Sequence, residues 1–286
     1  MHDMICCRNM GRTKIILEKE KLRSLYVDEN LTPMAISKLF NCNSITIRNR
    51  LKEFGIPLKD PAFARIRSKR LDFDGNLPNK AYAIGFRIGD LNVYRPSEKS
   101  QTIVVRCHTT QDDQVEIMKS LFESFGKVSV SLNKGHYHVN CFLNNTFGFL
   151  LPKNSGAWEW LKNDDSLMPS FIAGYVDAEA NFILNQGRAR FKIDSYDVDI
   201  LSFISSWLSS KGMNNPFRRI YKKGDVWKGK YPLNEDLWRL NINDMVSLEG
   251  FIRLMMPLLR HKKRLSDMKV CLKNINERKT KKYGTK

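Results

Sequence analysis

Two acidic side chains occupy the same place in two similar stretches of this sequence. One reads Ala83-Ile84-Gly85-Phe86-Arg87-Ile88-Gly89-Asp90, the other Ile172-Ala173-Gly174-Tyr175-Val176-Asp177-Ala178-Glu179. In each, small residues stand four apart, Gly85 with Gly89 and Gly174 with Ala178. Residues four apart share a helix face, and a face without side chains lets a second backbone approach closely. Glycine inside a helix costs about 0.5–1 kcal/mol relative to alanine, so a tight contact is expected to compensate. The natural partner for each helix is its counterpart, which would set Asp90 beside Glu179 where both helices end. Carboxylates in contact repel, and the negative end of a helix dipole disfavours them further. A bound divalent cation removes the conflict, and oxygen donors beside phosphate suit Mg2+, or another divalent ion such as Mn2+. Such a cation can activate water and stabilise the leaving oxygen of a phosphodiester. Either acid alone would read as an ordinary polar helix end. The duplication is what favours shared metal chemistry.

The surrounding elements repeat as well. In the first copy the pattern predicts a helix over Ala81–Asp90 and strands near Leu91–Tyr94 and Thr102–His108. A helix through Val115, Met118, Leu121 and Phe122 follows, then strands from Lys127 to Leu132 and from His136 to Cys141 around a Lys134-Gly135 turn, and a closing helix. Roughly ninety residues later come a helix over Pro169–Glu179 and strands near Asn181–Leu184 and Arg188–Ile193, turning at Gln186-Gly187. A helix through Ile200, Phe203, Ile204 and Trp207 precedes strands near Phe217–Lys222 and Leu237–Asn243. Helices from Met245 to Leu259 and from Arg264 to Asn276 close the chain. The expected class is α+β: a pseudo-two-fold, duplicated αββαββα core in a monomer, with repeats over 80–165 and 166–276 and a basic tail over 277–286.

Upstream of the repeats, a flexible N-terminus (1–14) leads to a small all-α domain over 15–59. Thr32 is a good N-cap with Pro33 at the first helical position, and Ala35, Ile36 and Leu39 form a short apolar stripe. After the turn Asn41-Cys42-Asn43, Ser44 is expected to cap a third helix with Ile47, Leu51 and Phe54 inward, stopped by Gly55. Two short helices around a tight turn form a helix-turn-helix pattern, with Thr46, Arg48, Asn49 and Arg50 available to base edges in a major groove. A plain packing bundle is the bland alternative. Residues 60–79, with Pro61, Gly75, Pro78 and the basic cluster Arg65, Arg67, Lys69 and Arg70, read as a linker.

Strand alternation sorts the repeat strands into an apolar and a polar face. The polar face gathers Asn92, Tyr94, Arg106, His108, His136, His138 and Asn140 from the first copy. The second copy supplies Arg188, Arg190, Lys192, Arg219, Tyr221, Arg239 and Asn241. No Asp or Glu is expected among them, whereas an ordinary solvated face mixes both signs. Arg and Lys read guanine and Asn reads adenine, so this face suits double-stranded DNA.

Charge supports a polyanionic partner: 48 Lys+Arg against 30 Asp+Glu give the 286-residue chain a formal charge of +18. Charge alone fits DNA, RNA or an anionic membrane surface equally. No run approaches the ~18 apolar residues that span a bilayer, and Met1 to Met10 lacks the apolar stretch of a signal peptide. Of six cysteines, Cys6 and Cys7 are adjacent while Cys42, Cys107, Cys141 and Cys271 are isolated. With no C-x-x-C pair, neither structural zinc nor a disulfide framework is expected, and the compartment reads as cytoplasmic or nucleoid-associated, or an organellar matrix.

Both small-residue helices resemble the signature of the LAGLIDADG homing endonucleases. The second match departs mainly at Ala180, where the family usually has glycine; the first departs at Arg87, Ile88 and Leu91. The signature acid is present both times, as Asp90 and Glu179, and the resemblance runs from about Lys80 to Lys273. It implies a saddle of strands over DNA and metal-assisted cleavage of both strands across the minor groove, leaving short 3′ overhangs. It also implies a water-ordering role for Gln111 and places Lys262 near the metal-bound water. The same scaffold serves some non-catalytic transcription regulators and some intron maturases, which makes intron RNA an alternative partner. Retention of both acids favours the nuclease.

Overall fold

The computed structural model describes residues 17–29, 31–59, 68–227 and 231–283. The N-terminal stretch 1–14 and positions 60–67 of the expected linker lie outside the described residues. Two compact units divide the chain, residues 1–67 and 68–286.

In the first unit, helix α1 (Lys19–Arg23) runs on as a π-helical turn over Ser24–Asp28, followed by α2 (Pro33–Leu39) and α3 (Ser44–Glu53). Thr32 caps α2, its Oγ1 accepting the Ala35 amide at 3.1 Å. Asn43 rather than Ser44 caps α3, its Oδ1 accepting the Ile45 amide at 2.9 Å. The turn between the two helices puts Asn41 at φ 46, a conformation that asparagine tolerates, and Gly55 ends α3 at φ 66. Leu22, Tyr26, Ile36, Ile47 and Leu51 fill a small separate core. The Tyr26 hydroxyl accepts the Lys59 amide at 2.7 Å and fastens the segment that leaves α3.

The second unit is built twice on one plan. Its first half runs α4 (Leu77–Asp90), β1 (Asn92–Tyr94), β2 (Thr102–Thr109), α5 (Asp112–Phe122), β3 (Lys127–Asn133) and β4 (His136–Asn144). The second half runs α6 (Met168–Glu179), β5 (Ala180–Asn185), β6 (Arg188–Ser195), α7 (Val198–Ser210), β7 (Phe217–Tyr221), a small β8–β9 ribbon (Val226–Trp227 with Tyr231–Pro232), β10 (Leu237–Ile242) and α8 (Met245–Met255). Helix α9 (Lys262–Tyr283) closes the chain. The sheets are antiparallel with strand orders β1-β2-β4-β3 and β5-β6-β10-β7. Apart from the inserted ribbon, these orders are the same. Tight turns at Lys134-Gly135 and Gln186-Gly187 take positive φ at both residues, the geometry that matches strand twist in a two-residue hairpin. One continuous apolar core spans both halves. No described helix is long and apolar enough to cross a membrane.

Three segments depart from the sequence expectation. Residues 68–76 of the expected linker are mostly exposed but are fastened to the core at Leu71 and Phe73. The Leu71 amide donates to the Phe125 carbonyl at 2.8 Å, and Phe73 stacks edge-on with Phe147 and Phe149. The first copy ends in short 3-10 turns, beginning with Asn145–Leu150, instead of a closing helix. Gly148, Pro152 and Gly156 interrupt any longer helix there, and the Asn144 side chain holds the first turn by accepting the Thr146 amide. At the other end, α9 carries the expected basic tail as helix through Tyr283.

Candidate functional site

The seam between α4 and α6 is built from the missing side chains. A Cβ placed on Gly85 would lie 2.1 Å from the Phe171 carbonyl oxygen and 2.9 Å from the Tyr175 nitrogen. One placed on Gly174 would lie 2.0 Å from the Tyr82 carbonyl oxygen and 2.9 Å from the Phe86 nitrogen. Each glycine thus meets the same pair of backbone atoms one turn along the opposite helix. The contacts are reciprocal, which is the mark of a two-fold axis running between the helices. Further along, Gly89 faces the Ala178 methyl and the Glu179 side chain; a Cβ there would stand 3.3 Å from Glu179 Oε1.

Both helices end at this point and turn directly into β1 and β5, so Asp90 and Glu179 are delivered half-buried at the same junction. Burial raises the Asp90 carboxyl to about 7, and the charge of Glu179 adds to the rise. Glu179 is raised too, chiefly by burial and further by Asp197, with Arg264 and Lys153 acting in the opposite sense. Two carboxylates are therefore held where each resists losing its proton.

Arg264, near the start of α9, is the cation that faces them. Its Nε donates to the Asp177 carbonyl at 2.9 Å and its Nη2 to the Ala178 carbonyl at 2.6 Å, so it satisfies the exposed end of α6. Its charge lowers the pKa of both acids. Gln114, on the inner face of α5, donates its side-chain amide to Asp90 Oδ2.

A second network locks this arrangement. Asp177 is fully buried, and its Oδ2 accepts the Tyr82 hydroxyl at 2.5 Å and the Arg260 amide at 2.6 Å. His261, 1% exposed, places Nδ1 3.0 Å from Asp113 Oδ2 and Nε2 2.8 Å from Gln111 Oε1. Burial lowers the His261 pKa. The segment entering α9 from the second copy is thereby docked on α5 and α4 of the first.

Two of the residues expected beside the acids are placed elsewhere. Gln111 precedes α5 at the capping position and turns to His261; the glutamine on Asp90 is Gln114, one turn further in. Lys262 is exposed at the first position of α9, and Arg264, about 200° further round the helix, points to the acids instead. Only the folded positions of α5 and α9 tell these neighbours apart.

The strand faces divide as alternation requires. Across the first sheet, Asn92, Arg106, Asn140 and Ser129 form one rung and His108, His138 and Ser131 the next. The His108 and His138 rings meet edge to face at 4.5 Å, and the Arg106 guanidinium lies 4.9 Å from the Tyr94 ring. His136 is exposed at the hairpin end of β4, opposite Asn133. In the second sheet Asn181, Lys192 and Asn241 form one rung, with Arg190 opposite Ile183 and Arg188 opposite Asn185.

Two expectations fail here. The second face does carry a carboxylate: β6 continues to Ser195, so Asp194 lies level with Arg239 and holds it at 2.5 and 2.6 Å. Arg239 is thus already paired. A bulge at Leu237/Trp238 also shifts β7, putting Arg218 opposite Arg239. Arg219 stands opposite Trp238 and pairs with Asp236 at 2.7 Å, and Tyr221 stands opposite Leu237. In the N-terminal unit, Arg48 and Asn49 are exposed on α3, Thr46 is half-buried, and Arg50 pairs with Glu53 at 2.5 Å.

Among known proteins, no family model matches the chain and no curated protein matches it. Solved structures give likenesses at low identity. Mesophilic variants of the homing endonuclease I-DmoI are 17% identical over 63% of this chain and 95% of theirs, with a TM-score of 0.45. I-DmoI in complex with DNA and Mn is 18% identical over 64% of this chain and 97% of that one, with a TM-score of 0.44. The N-terminal LAGLIDADG domain of DUF199/WhiA is 14% identical over 65% of this chain and 86% of that one, with a TM-score of 0.42.

Proposed function

We infer that this chain is a divalent-metal-dependent endonuclease of the LAGLIDADG type that cuts both strands of a DNA duplex as a monomer. One observation carries the reading: reciprocal helices deliver Asp90 and Glu179 to one junction, where burial holds both carboxyls above their ordinary range and the charge of Glu179 adds to the rise at Asp90. That strain has a use if a cation is to be held there.

The donor set fits a hard divalent ion such as Mg2+ or Mn2+. Asp90 and Glu179 would hold it, with water and phosphate oxygens completing the shell, since no group of three or more His, Cys, Asp or Glu stands together among the described residues. When bound, such an ion supplies Lewis-acid stabilisation and an activated water for phosphodiester hydrolysis. Gln114 fixes the orientation of the Asp90 carboxyl, and Arg264 offsets part of the acid pair's charge while anchoring the end of α6. The rungs of Asn, Arg, His and Lys on the two sheets hold the duplex on either side, and α3 adds Arg48 and Asn49 as a helix-turn-helix contact.

The test is cleavage of a cognate duplex with Mg2+, the site being sought in the DNA that flanks this frame if it lies within an intron. Asp90→Asn and Glu179→Gln should each abolish cutting while leaving duplex binding intact. Arg264 also supports a second reading, because a cation supplied by the chain itself can quiet the acid pair in a protein that binds without cutting. Wild type that binds its site as tightly as both variants, with none of the three cutting, establishes that regulator instead. Preferential binding of structured intron RNA would favour a maturase.

A further inference from the structure

A cleft of about 650 Å3 opens beside the outer end of the second sheet, lined by Arg188, Arg278, Lys281, Asn243 and the start of α8. We propose that this cleft is a phosphate-backbone clamp, extending the contact with duplex DNA past the sheet on one side only. It rests on duplex DNA being the partner.

Three cations line the cleft against one carboxylate, Asp244, which is committed elsewhere as the N-cap of α8. Its Oδ2 accepts both the amide and the hydroxyl of Ser247 at 2.9 Å, and these bonds hold it below the ordinary carboxylate range. Among the described residues, the guanidinium groups of Arg188 and Arg278 have no hydrogen-bond or ion-pair partner. Arg219, Arg239 and Arg253 are each tied to a carboxylate. Two forked donors converging without an anion are suited to phosphate oxygens.

The frame around them is fixed. Asn274 on α9 brackets Arg188 from both sides, donating to the Gly187 carbonyl at 3.1 Å and accepting the Ala189 amide at 3.0 Å. Lys279 pairs with Glu249 and pins the next turn of α9 to α8. Arg278 and Lys281, three apart, therefore share a face of an immobilised helix and line the cleft together with Arg188. The first copy has no such helix, since it closes in 3-10 turns. The clamp belongs to one half of the molecule.

Anisotropy of a labelled random-sequence duplex, titrated across a potassium chloride series, tests this. Each phosphate contact adds about 0.9 to the slope of log K against log salt. Arg278→Ala combined with Lys281→Ala should lower that slope by about one to two and weaken binding several-fold at low salt. Lys269→Ala combined with Lys273→Ala, which removes the same charge from the other side of α9, should leave the slope unchanged, and Arg278→Lys should retain most of it. Circular dichroism confirms that each variant is folded. Equal losses in both double variants, or none in either, overturn the clamp while leaving the nuclease reading intact. Wild type that binds no duplex at all removes both. A slope loss seen only with structured RNA assigns the cleft to RNA and overturns its role on DNA.

Discussion

The two halves of the core share a backbone and differ in almost everything attached to it. Gly85 and Gly174 make matching contacts, the strand orders coincide, and both helices run straight into their first strands. Yet the first sheet presents His108, His138, Arg106 and Asn140, with no carboxylate in its two central rungs, while the second presents Arg188, Arg190 and Lys192 with Asp194 among them. The acids differ in company as well. Asp90 is held by Gln114, whereas Glu179 feels Lys153 and Asp197. The seam is constrained because backbone meets backbone there and no substitution can relax it on one side alone. The surfaces are free to diverge, as they must if each half meets a different stretch of an asymmetric partner.

That contrast can be broken most sharply at the seam. Gly85→Ala and Gly174→Ala should destabilise the protein by similar amounts, about 3 kcal/mol or more each, because each new methyl meets a carbonyl oxygen. Urea denaturation checks this, and a large cost at one position with tolerance at the other would refute the two-fold seam.

Next in size is the pH dependence of the acids. The folded Asp90 carboxyl sits at about 7, well above its ordinary 3.8, so the native state keeps a proton that the unfolded chain has released. Its contribution to stability is therefore present at acid pH and is lost as pH rises from about 4 through 7. Without divalent ions, Asp90→Asn should raise the midpoint of unfolding at pH 8 by several degrees, with the gain vanishing near pH 4. Glu179→Gln should gain less, because Lys153 relieves that acid in addition to the Arg264 charge that both share. Equal gains at both pH values would dismiss the shift.

Removing the shared cation should act in the reverse direction. Arg264→Met is expected to cost about 1–3 kcal/mol at pH 8, since the two acids lose their common counter-charge and the end of α6 loses its donors. The loss should shrink as the acids protonate, and a loss independent of pH would mean that only packing was disturbed. The smallest effect is expected on the sheets. Asp194→Asn frees Arg239 and should tighten duplex binding about two- to five-fold, a gain that added salt erodes. The first sheet has no such brake to release.

Much of this architecture could be read from the chain. Small residues four apart announced the helix pair, and alternation separated Arg106 and Asn140 from Val105 and Cys141, because burial enforces both periods over several residues. What escaped depended on a single residue's register or on contacts far apart in sequence. Nothing local distinguishes Gln114 from Gln111, or Arg264 from Lys262, until α5 and α9 are docked. The bulge at Leu237/Trp238 exchanges Arg218 for Arg219, and two further residues on β6 bring in Asp194. Phe73 read as part of a linker because its aromatic partners lie on remote turns.

The docking of His261 on Asp113 and Gln111 has a consequence for how such a chain comes into being. The last quarter of the polypeptide supplies Arg264, whose charge reaches both acids, so a ribosome must finish nearly all of it before the pair gains that counter-charge. A message cut short ahead of Arg264 yields no smaller version of the same site. Its product lacks the clasp, and its two carboxylates are left to push the halves apart.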